Sequence, residues 1–187
     1  RSSDNPLYWQ NRKPYGGYWQ QDVHYGIYAM IDETANIING KEELTYWNNS
    51  PDTLRYVYFH MSQNAFVKGS HLQDLEKLNK VKAAVDKYEA AGLGFVVKGL
   101  TANDKEVKND LDNTIMKVDL PEPLYPGKKV TFRMEFRTYY DNGSTRRRMQ
   151  MYDAWGFMHY NGTQWFPKIC VYDHKFGWDT YQHLNKE

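Results

Sequence analysis

Cysteine is almost absent from this sequence: Cys170 is the only one among 187 residues. A chain with one cysteine forms no internal disulfide and builds no zinc ribbon from cysteine pairs. Long apolar runs are missing as well, because the longest one, near Gly94–Val97, is far shorter than the roughly 20 residues that a membrane-spanning helix needs. The sequence therefore predicts no disulfide scaffold and no membrane span.

An excess of charge of one sign is also missing. The chain has 24 Lys and Arg against 23 Asp and Glu, which gives a formal net charge of +1 at pH 7. Proteins that bind nucleic acids or acidic membranes carry a basic surface that neutralises phosphates. The charge balance favours neither partner, and we predict that the chain binds no nucleic acid.

Aromatic residues are abundant, with 16 Tyr, 8 Phe and 6 Trp. Tyr and Trp fit pleated, half-buried surfaces, so this composition favours β-structure. The length suits one large domain or two small ones. Because the sequence starts without Met and stops soon after a dense aromatic segment, we expect it to be a piece of a longer, exported protein, and we expect a periplasmic or secreted location.

The pattern along the chain predicts an all-β domain with one helical insertion. Residues 1–17 show no hydrophobic periodicity and are predicted to form an extended N-terminal arm, followed by a β-domain over 18–187. Alternating segments predict about seven to nine antiparallel strands in a meander or sandwich. A turn is predicted at 36–40, and prolines after residue 120 are predicted to separate the last two strands. The clearest strands cover 18–32, 41–47, 54–61, 94–100, 113–120 and 129–139.

The helical insertion is predicted over residues 70–92. Ser70 and Gln73 have the spacing of a capping box, in which each side chain satisfies a free backbone N–H of the other residue. An apolar residue recurs every three or four positions from Leu72 to Tyr88, and Gly92 stands where a left-handed cap ends a helix. The opposite face is rich in Lys and Glu, so we expect a helix that packs on one side and is solvated on the other.

Sequence motifs for catalysis are lacking. The six histidines form no HExxH pair, and the chain has neither a glycine-rich phosphate loop nor a serine nucleophile elbow. Cys170 lies in an apolar run and is predicted to be a small buried side chain. We therefore predict no catalytic residue and no metal ligand in this chain.

The most informative segment is the aromatic stretch 160–178. Its rings are explained as well by core packing as by a binding site. Gln164, immediately before Trp165, is harder to explain by packing. An amide beside aromatic walls is suited to orienting a ligand amine or carbonyl, since it both donates and accepts hydrogen bonds.

Four stretches together resemble a known family. They are YWQQDVHY at 18–25, INGKEELTYWNNSPDTL at 38–54, VYFHMSQNAF at 57–66, and QWFPKICVYD with FGW at 164–178. These residues resemble the N-terminal domain of aminopeptidase N-type zinc metallopeptidases, most closely the bacterial secreted-type members. The resemblance extends over residues 18–187, and the helical stretch 70–92 is its least typical part.

The resemblance implies a saddle-shaped all-β domain that precedes a separate catalytic domain. That domain carries HExxH, a further Glu ligand and the substrate motif, none of which occurs here. The resemblance therefore implies Zn²⁺ in the full-length protein, a peptide substrate, and no zinc or activity in this fragment alone. The family's N-terminal domain also supplies a Gln or Glu that binds the substrate's α-amino group. By position that residue is Gln164, and His159 or Tyr160 would line the edge of the site.

A different class of function also fits the aromatic content. A freestanding β-sandwich could bind carbohydrate or protein through exposed Trp and Tyr side chains. An HExxH motif downstream of residue 187 would separate the two hypotheses, because only the peptidase requires it.

Overall fold

The computed structural model describes residues 16–81, 87–141 and 149–184, and these ranges are mostly β-structure. The all-β prediction is confirmed. Within the described ranges, the helical elements are a 3₁₀ helix at Ser62–Phe66, α1 at His71–Leu78 and α2 at Lys87–Ala90. The strands are β1 Asp22–Asp32, β2 Ile37–Trp47, β3 Leu54–His60, β4 Val96–Ala102, β5 Lys105–Glu106, β6 Asn109–Asp112, β7 Ile115–Leu124, β8 Lys129–Tyr139, β9 Met149–Ala154, β10 Phe157–Gly162, β11 Lys168–Ile169, β12 Tyr172–Asp173 and β13 Gly177–Trp178.

Two antiparallel sheets and two hairpins are built from these strands. The larger sheet has the order β1-β2-β8-β4-β5, and the smaller has the order β11-β3-β7-β6. The strands β9 and β10 form one hairpin, and β12 and β13 form the other. Since β1 has only β2 as a neighbour, it is an edge strand of the larger sheet.

The main core lies between the two sheets. In the larger sheet, alternate residues of β2 and β8 point inward, and Leu44 pairs with Phe132. Phe59 of the smaller sheet meets Phe132 edge to face, with ring centroids 5.4 Å apart. All three side chains are fully buried, which is what the period-two alternation of these strands predicts.

The turn predicted at residues 36–40 is wrong in position. The chain turns at residues 33–36, where the Asp32 carboxylate accepts hydrogen bonds from the backbone N–H groups of Thr34 and Ala35. Asn36 then adopts a positive φ of 58°, a conformation that asparagine tolerates. The following residues, Gly40 included, belong to β2.

The single helix predicted over 70–92 is also wrong. Its start is confirmed, since the Ser70 hydroxyl accepts from the Gln73 backbone N–H, although the Gln73 side chain accepts from Gly69 and not from Ser70. The first helix ends at Leu78, because Lys80 adopts a φ of 56°. The N–H groups of Lys80 and Val81 bond to the carbonyls of Lys77 and Glu76, as in a Schellman motif. Residues 82–86 lie outside the described ranges.

The apolar stripe of the predicted helix is only partly buried. Leu72 is buried, but Leu75, Leu78 and Val81 are exposed. The predicted glycine stop is confirmed, because Gly92 follows α2 with a φ of 74°. The stripe therefore does not form the continuous packed face that its spacing predicts.

The described ranges contain more strands than the seven to nine predicted, because the short strands and hairpins do not show a clear alternating pattern. The prolines at 121 and 123 also fail to end a strand, since β7 runs on to Leu124. The ladder shifts register between Leu54 and Tyr56 of β3, opposite these prolines. A register shift accommodates residues without an N–H, as proline requires.

Two further sequence predictions concern the ends of the chain and the membrane. Of the predicted arm 1–17, only Gly16 and Gly17 fall within the described residues. No helix in the described ranges is long and apolar enough to cross a bilayer.

Candidate functional site

The loop Thr163–Pro167 joins β10 to β11 and carries Gln164. Packing anchors the loop after Gln164: the Trp165 ring lies 6.0 Å from that of Phe136, and the Phe166 ring lies 5.6 Å from that of Tyr25. Pro167 is buried. The aromatic residues of this segment therefore fix the loop against the larger sheet.

Gln164 itself has an unusual backbone conformation. Its φ is +54°, in the left-handed region that costs a residue with a Cβ roughly 1–2 kcal/mol. The side-chain amide of Gln63 donates to the carbonyl oxygens of Thr163 and Gln164, at 3.3 and 3.2 Å. The loop is thus held on both sides of the strained residue.

The side chain of Gln164 is left available by this arrangement. It is half-buried, and in the part of the chain that the structure describes its amide makes no hydrogen bond. An amide offers one acceptor oxygen and two N–H donors. Gln164 therefore presents an uncommitted polar group beside the rings of Trp165 and Phe166.

His159 and Tyr160, the other two predicted site residues, are neighbours on β10. Successive residues of a strand point to opposite faces, so their side chains diverge. His159 pairs with Tyr152 across the hairpin, and Tyr160 pairs with Met151. The structure therefore places these two residues close to Gln164 in the chain but does not bring them to one face.

His159 belongs to an aromatic group on the β9–β10 hairpin. Its ring stacks on that of Tyr152 at 5.3 Å and meets that of Trp155 edge to face at 6.0 Å. Its Nε2 atom is buried and has no hydrogen-bond partner among the described residues. Trp155 at the tip of the hairpin is 89% exposed.

Tyr160 is committed to internal contacts. Its hydroxyl donates to the side-chain oxygen of Asn36 at 2.9 Å, and its ring contacts Tyr140 with centroids 4.8 Å apart. Desolvation, followed by the carboxylates of Glu33 and Asp32, raises the pKa of the Tyr160 phenol. The Tyr160 side chain therefore holds the hairpin against the turn between β1 and β2.

Two polar residues near this region were missed by sequence reasoning. Gln63, which contacts the loop, has no distinguishing motif in the sequence. Glu42 could have been found from the sequence, because it alternates in phase with the inward-facing residues of β2, which are Gly40, Leu44 and Tyr46. The period-two rule alone would have placed a carboxyl group in the core.

Glu42 is 2% exposed, and neither of its carboxyl oxygens has a hydrogen-bond partner among the described residues. Its neighbours in the sheet are Ile27 on β1 and Met134 on β8. Burial among such groups disfavours the charged form and raises the pKa of Glu42 to about 8. Glu42 is therefore protonated in the folded domain at neutral pH.

Cys170 follows β11 and is 1% exposed. Burial, with a smaller effect of the Asp179 carboxylate, raises the pKa of its thiol above the ordinary value. A thiol of this kind is a poor nucleophile because the thiolate is the reactive form. Its predicted burial is confirmed.

The described residues are 16–81, 87–141 and 149–184. These ranges contain no group of three or more His, Cys, Asp or Glu side chains that could hold a metal ion. Structural and catalytic zinc sites use at least three such ligands. The described residues therefore do not fit a zinc ion.

Comparisons with known proteins gave matches among solved structures only. No protein-family model matches the chain, and no curated protein matches it. An M1 zinc metallopeptidase from Deinococcus radiodurans is 17% identical, with a TM-score of 0.42 over 65% of this chain and 21% of its own. Two structures of one mutant of a two-domain M1 zinc metallopeptidase, one with bound L-arginine and one with bound L-tryptophan, are 17% identical with TM-scores of 0.44.

The alignments to the two-domain structures cover 73% and 75% of this chain, and 25% and 26% of theirs. The chain thus spans about a quarter of the length of the solved structures that it resembles.

Proposed function

We propose that this chain is the N-terminal, non-catalytic β-domain of a zinc-dependent aminopeptidase, and that Gln164 binds the α-amino group of the peptide substrate. The observation that carries the proposal is the state of Gln164. Its backbone is clamped in a strained turn, while its half-buried amide makes no hydrogen bond within the described residues. A strained residue with a free polar side chain is a frequent feature of binding sites.

The chemistry of the substrate supports the choice of an amide. An ammonium group has only N–H donors and needs acceptors, and the oxygen of Gln164 supplies one. A second buried carboxylate would carry a much larger desolvation cost than an amide does. An amide thus fixes where the N-terminus of a peptide stops, which is the selectivity an exopeptidase requires.

The zinc ion of such an enzyme would be held outside the described residues, because they contain no suitable set of ligands. When bound, zinc would polarise the scissile carbonyl and lower the pKa of a water molecule. The role of this domain would be to position the amine through Gln164.

The proposed partner of the domain is a catalytic domain of the same polypeptide. Exposed aromatic side chains on the β9–β10 hairpin support such a contact, since Trp155, Phe157 and Tyr152 are 89%, 72% and 53% exposed. Large exposed apolar groups of this kind mark interaction surfaces. We further propose a periplasmic or secreted location, as in the bacterial secreted-type relatives implied by the sequence resemblance.

The same exposed rings favour one alternative, a freestanding module that binds carbohydrate or another protein. Trp155 and Tyr181, at 89% and 80% exposure, are suited to stacking on a sugar or a partner. The coding sequence downstream of residue 187 separates the hypotheses. An HExxH motif there supports the peptidase, and its absence supports the module.

The proposed function is tested by comparing two proteins: this chain alone, and the intact polypeptide from which it comes. We expect the intact protein to contain one zinc per molecule and to hydrolyse aminoacyl-anilides. We expect the chain alone to fold, to contain no stoichiometric zinc and to hydrolyse none of these substrates. Zinc-dependent hydrolysis by the chain alone, or an intact protein without aminopeptidase activity, would refute the proposal.

A further inference from the structure

We propose that Gln63 is a positioning residue for substrate recognition. Its buried amide holds the turn at Thr163 and Gln164, within the loop Thr163–Pro167, and this turn presents Gln164 to the peptide's α-amino group. This inference rests on the proposed function and adds to it a residue that lies about a hundred positions earlier in the chain. Gln63 acts through the backbone of Gln164, and no contact with substrate is assigned to it.

The contact joins one side chain to two successive peptide groups. The Nε2 atom of Gln63 lies 3.3 Å from the carbonyl oxygen of Thr163 and 3.2 Å from that of Gln164. Gln63 is 1% exposed, so water does not readily replace it as the donor. Both hydrogen bonds are partly buried, so water only partly replaces a lost donor, and the turn is most stable when Gln63 serves both carbonyl oxygens.

Gln63 is itself held rigidly. It lies in the 3₁₀ helix Ser62–Phe66, whose five residues are all buried. The adjacent Asn64 donates to the carbonyl of Asn113 at 2.9 Å and accepts from the backbone N–H of Phe95 at 2.7 Å. The amide of Gln63 thus projects from a fixed base, as a positioning residue must.

The turn needs this support because of its backbone conformation. Gln164 has a φ of +54°, which residues with a Cβ adopt only where the surroundings enforce it. The packing of Trp165 and Phe166 fixes the chain after Gln164. Without the donor, the peptide groups on either side of Gln164 are free to rotate, which redirects its side chain.

The chemistry requires a donor at position 63. Gln63→Met keeps much of the length and volume of the side chain but removes the donor. Gln63→Glu places a carboxylate against two carbonyl oxygens and repels them when it is ionised. Gln21→Met is the matched control, since the Gln21 side chain also bridges distant residues, Asn48 and Asn49, but does not contact the turn.

The first measurement uses the chain alone and needs no activity. In isotope-labelled protein, the intraresidue NOE between the amide and α protons of Gln164 is strong when φ is positive. We expect it to be strong in the wild type and in Gln21→Met, and to weaken in Gln63→Met. A strong NOE in a folded Gln63→Met protein would overturn the proposal.

The second measurement uses the intact protein and two inhibitors, alanine hydroxamate and propionohydroxamic acid, which differ only in the α-amino group. We expect Gln63→Met to weaken binding of the amino compound about tenfold, the effect of losing one charged hydrogen bond, and to leave the other unchanged. Gln21→Met should leave the ratio of the two affinities as it is. A ratio unaltered by Gln63→Met would also overturn the proposal.

The variant Gln164→Ala separates failure of this inference from failure of the proposed function. If Gln164→Ala lowers the affinity ratio and Gln63→Met does not, only the role of Gln63 is refuted. If neither variant changes the ratio, the role of Gln164 is refuted as well. If both act, Gln63→Met should add nothing in the Gln164→Ala background, because the two residues act as one unit.

Discussion

Gly40 on β2 lies directly opposite Phe136 on β8, whose ring occupies the space that a side chain at position 40 would need. A Cβ at position 40 would lie 2.2 Å from that ring, far inside the normal contact distance. Trp165 packs on the same ring, with the two ring centroids 6.0 Å apart. The missing side chain of Gly40 therefore allows Phe136 to support the segment that follows Gln164.

We expect Gly40→Ala to lower the free energy of unfolding by about 1–3 kcal/mol, the usual effect of overpacking a core. The measurement is urea denaturation of the chain. Gly26→Ala is the control, because a Cβ at position 26 on β1 meets only the Glu43 carbonyl oxygen, at 3.9 Å. Equal stability of the two variants would show that Phe136 does not occupy this position.

The buried carboxyl group of Glu42 makes stability depend on pH. Its pKa is about 8 in the folded domain, against an ordinary value of 4.5 in the unfolded chain. Between these values the folded state keeps a proton that the unfolded state releases. The contribution of Glu42 to the free energy of unfolding is therefore fully present below about pH 4.5 and decreases by roughly 1.4 kcal/mol per pH unit up to about pH 8.

Glu42→Gln removes this titration and leaves the other groups in place. We expect the stability of Glu42→Gln relative to wild type to rise as the pH is raised from about 5 to 8, measured by urea denaturation at each pH. A constant difference across this range would mean that Glu42 is solvated or paired in the folded protein.

Asn48 connects the turn that follows β2 to the end of β7 through a fully buried side chain. Its amide nitrogen donates to the carbonyl oxygens of Asp52 and Leu124, at 2.7 and 2.9 Å, and its oxygen accepts from the Ser50 hydroxyl at 2.6 Å. Asn48→Ala leaves these buried groups without partners. We expect it to lower the free energy of unfolding by about 2–4 kcal/mol.

The neighbouring Asn49 is the control for this variant, since it is exposed and bonds to Gln20 and Asp22 near the surface. We expect Asn49→Ala to cost less than about 1 kcal/mol in the same denaturation measurement. A cost for Asn48→Ala no greater than that of Asn49→Ala would contradict the assigned network.

The sequence predicted the long strands well and the helix poorly. The strand over 129–139 was predicted with the bounds of β8, because alternation along a half-buried strand is a local property of the sequence. The helix prediction failed at Lys80, whose positive φ ends the helix although lysine is an ordinary helix-forming residue. A periodic apolar stripe does not reveal such a helix end.

The candidate site was predictable only in part. Gln164 was selected from its position before Trp165, but its positive φ and its contact with Gln63 depend on residues about a hundred positions apart. Nothing in the local sequence encodes such a contact. The opposed directions of His159 and Tyr160 follow from strand geometry once β10 is assigned.

The central claim, that Gln164 binds the substrate amine, is tested most directly by kcat/KM of the intact protein for an aminoacyl-anilide, with and without Gln164→Ala. We predict a decrease of about 5- to 150-fold, equivalent to about 1–3 kcal/mol for a hydrogen bond to a charged group, with no loss of bound zinc. An unchanged kcat/KM in a folded, zinc-loaded variant would contradict the claim.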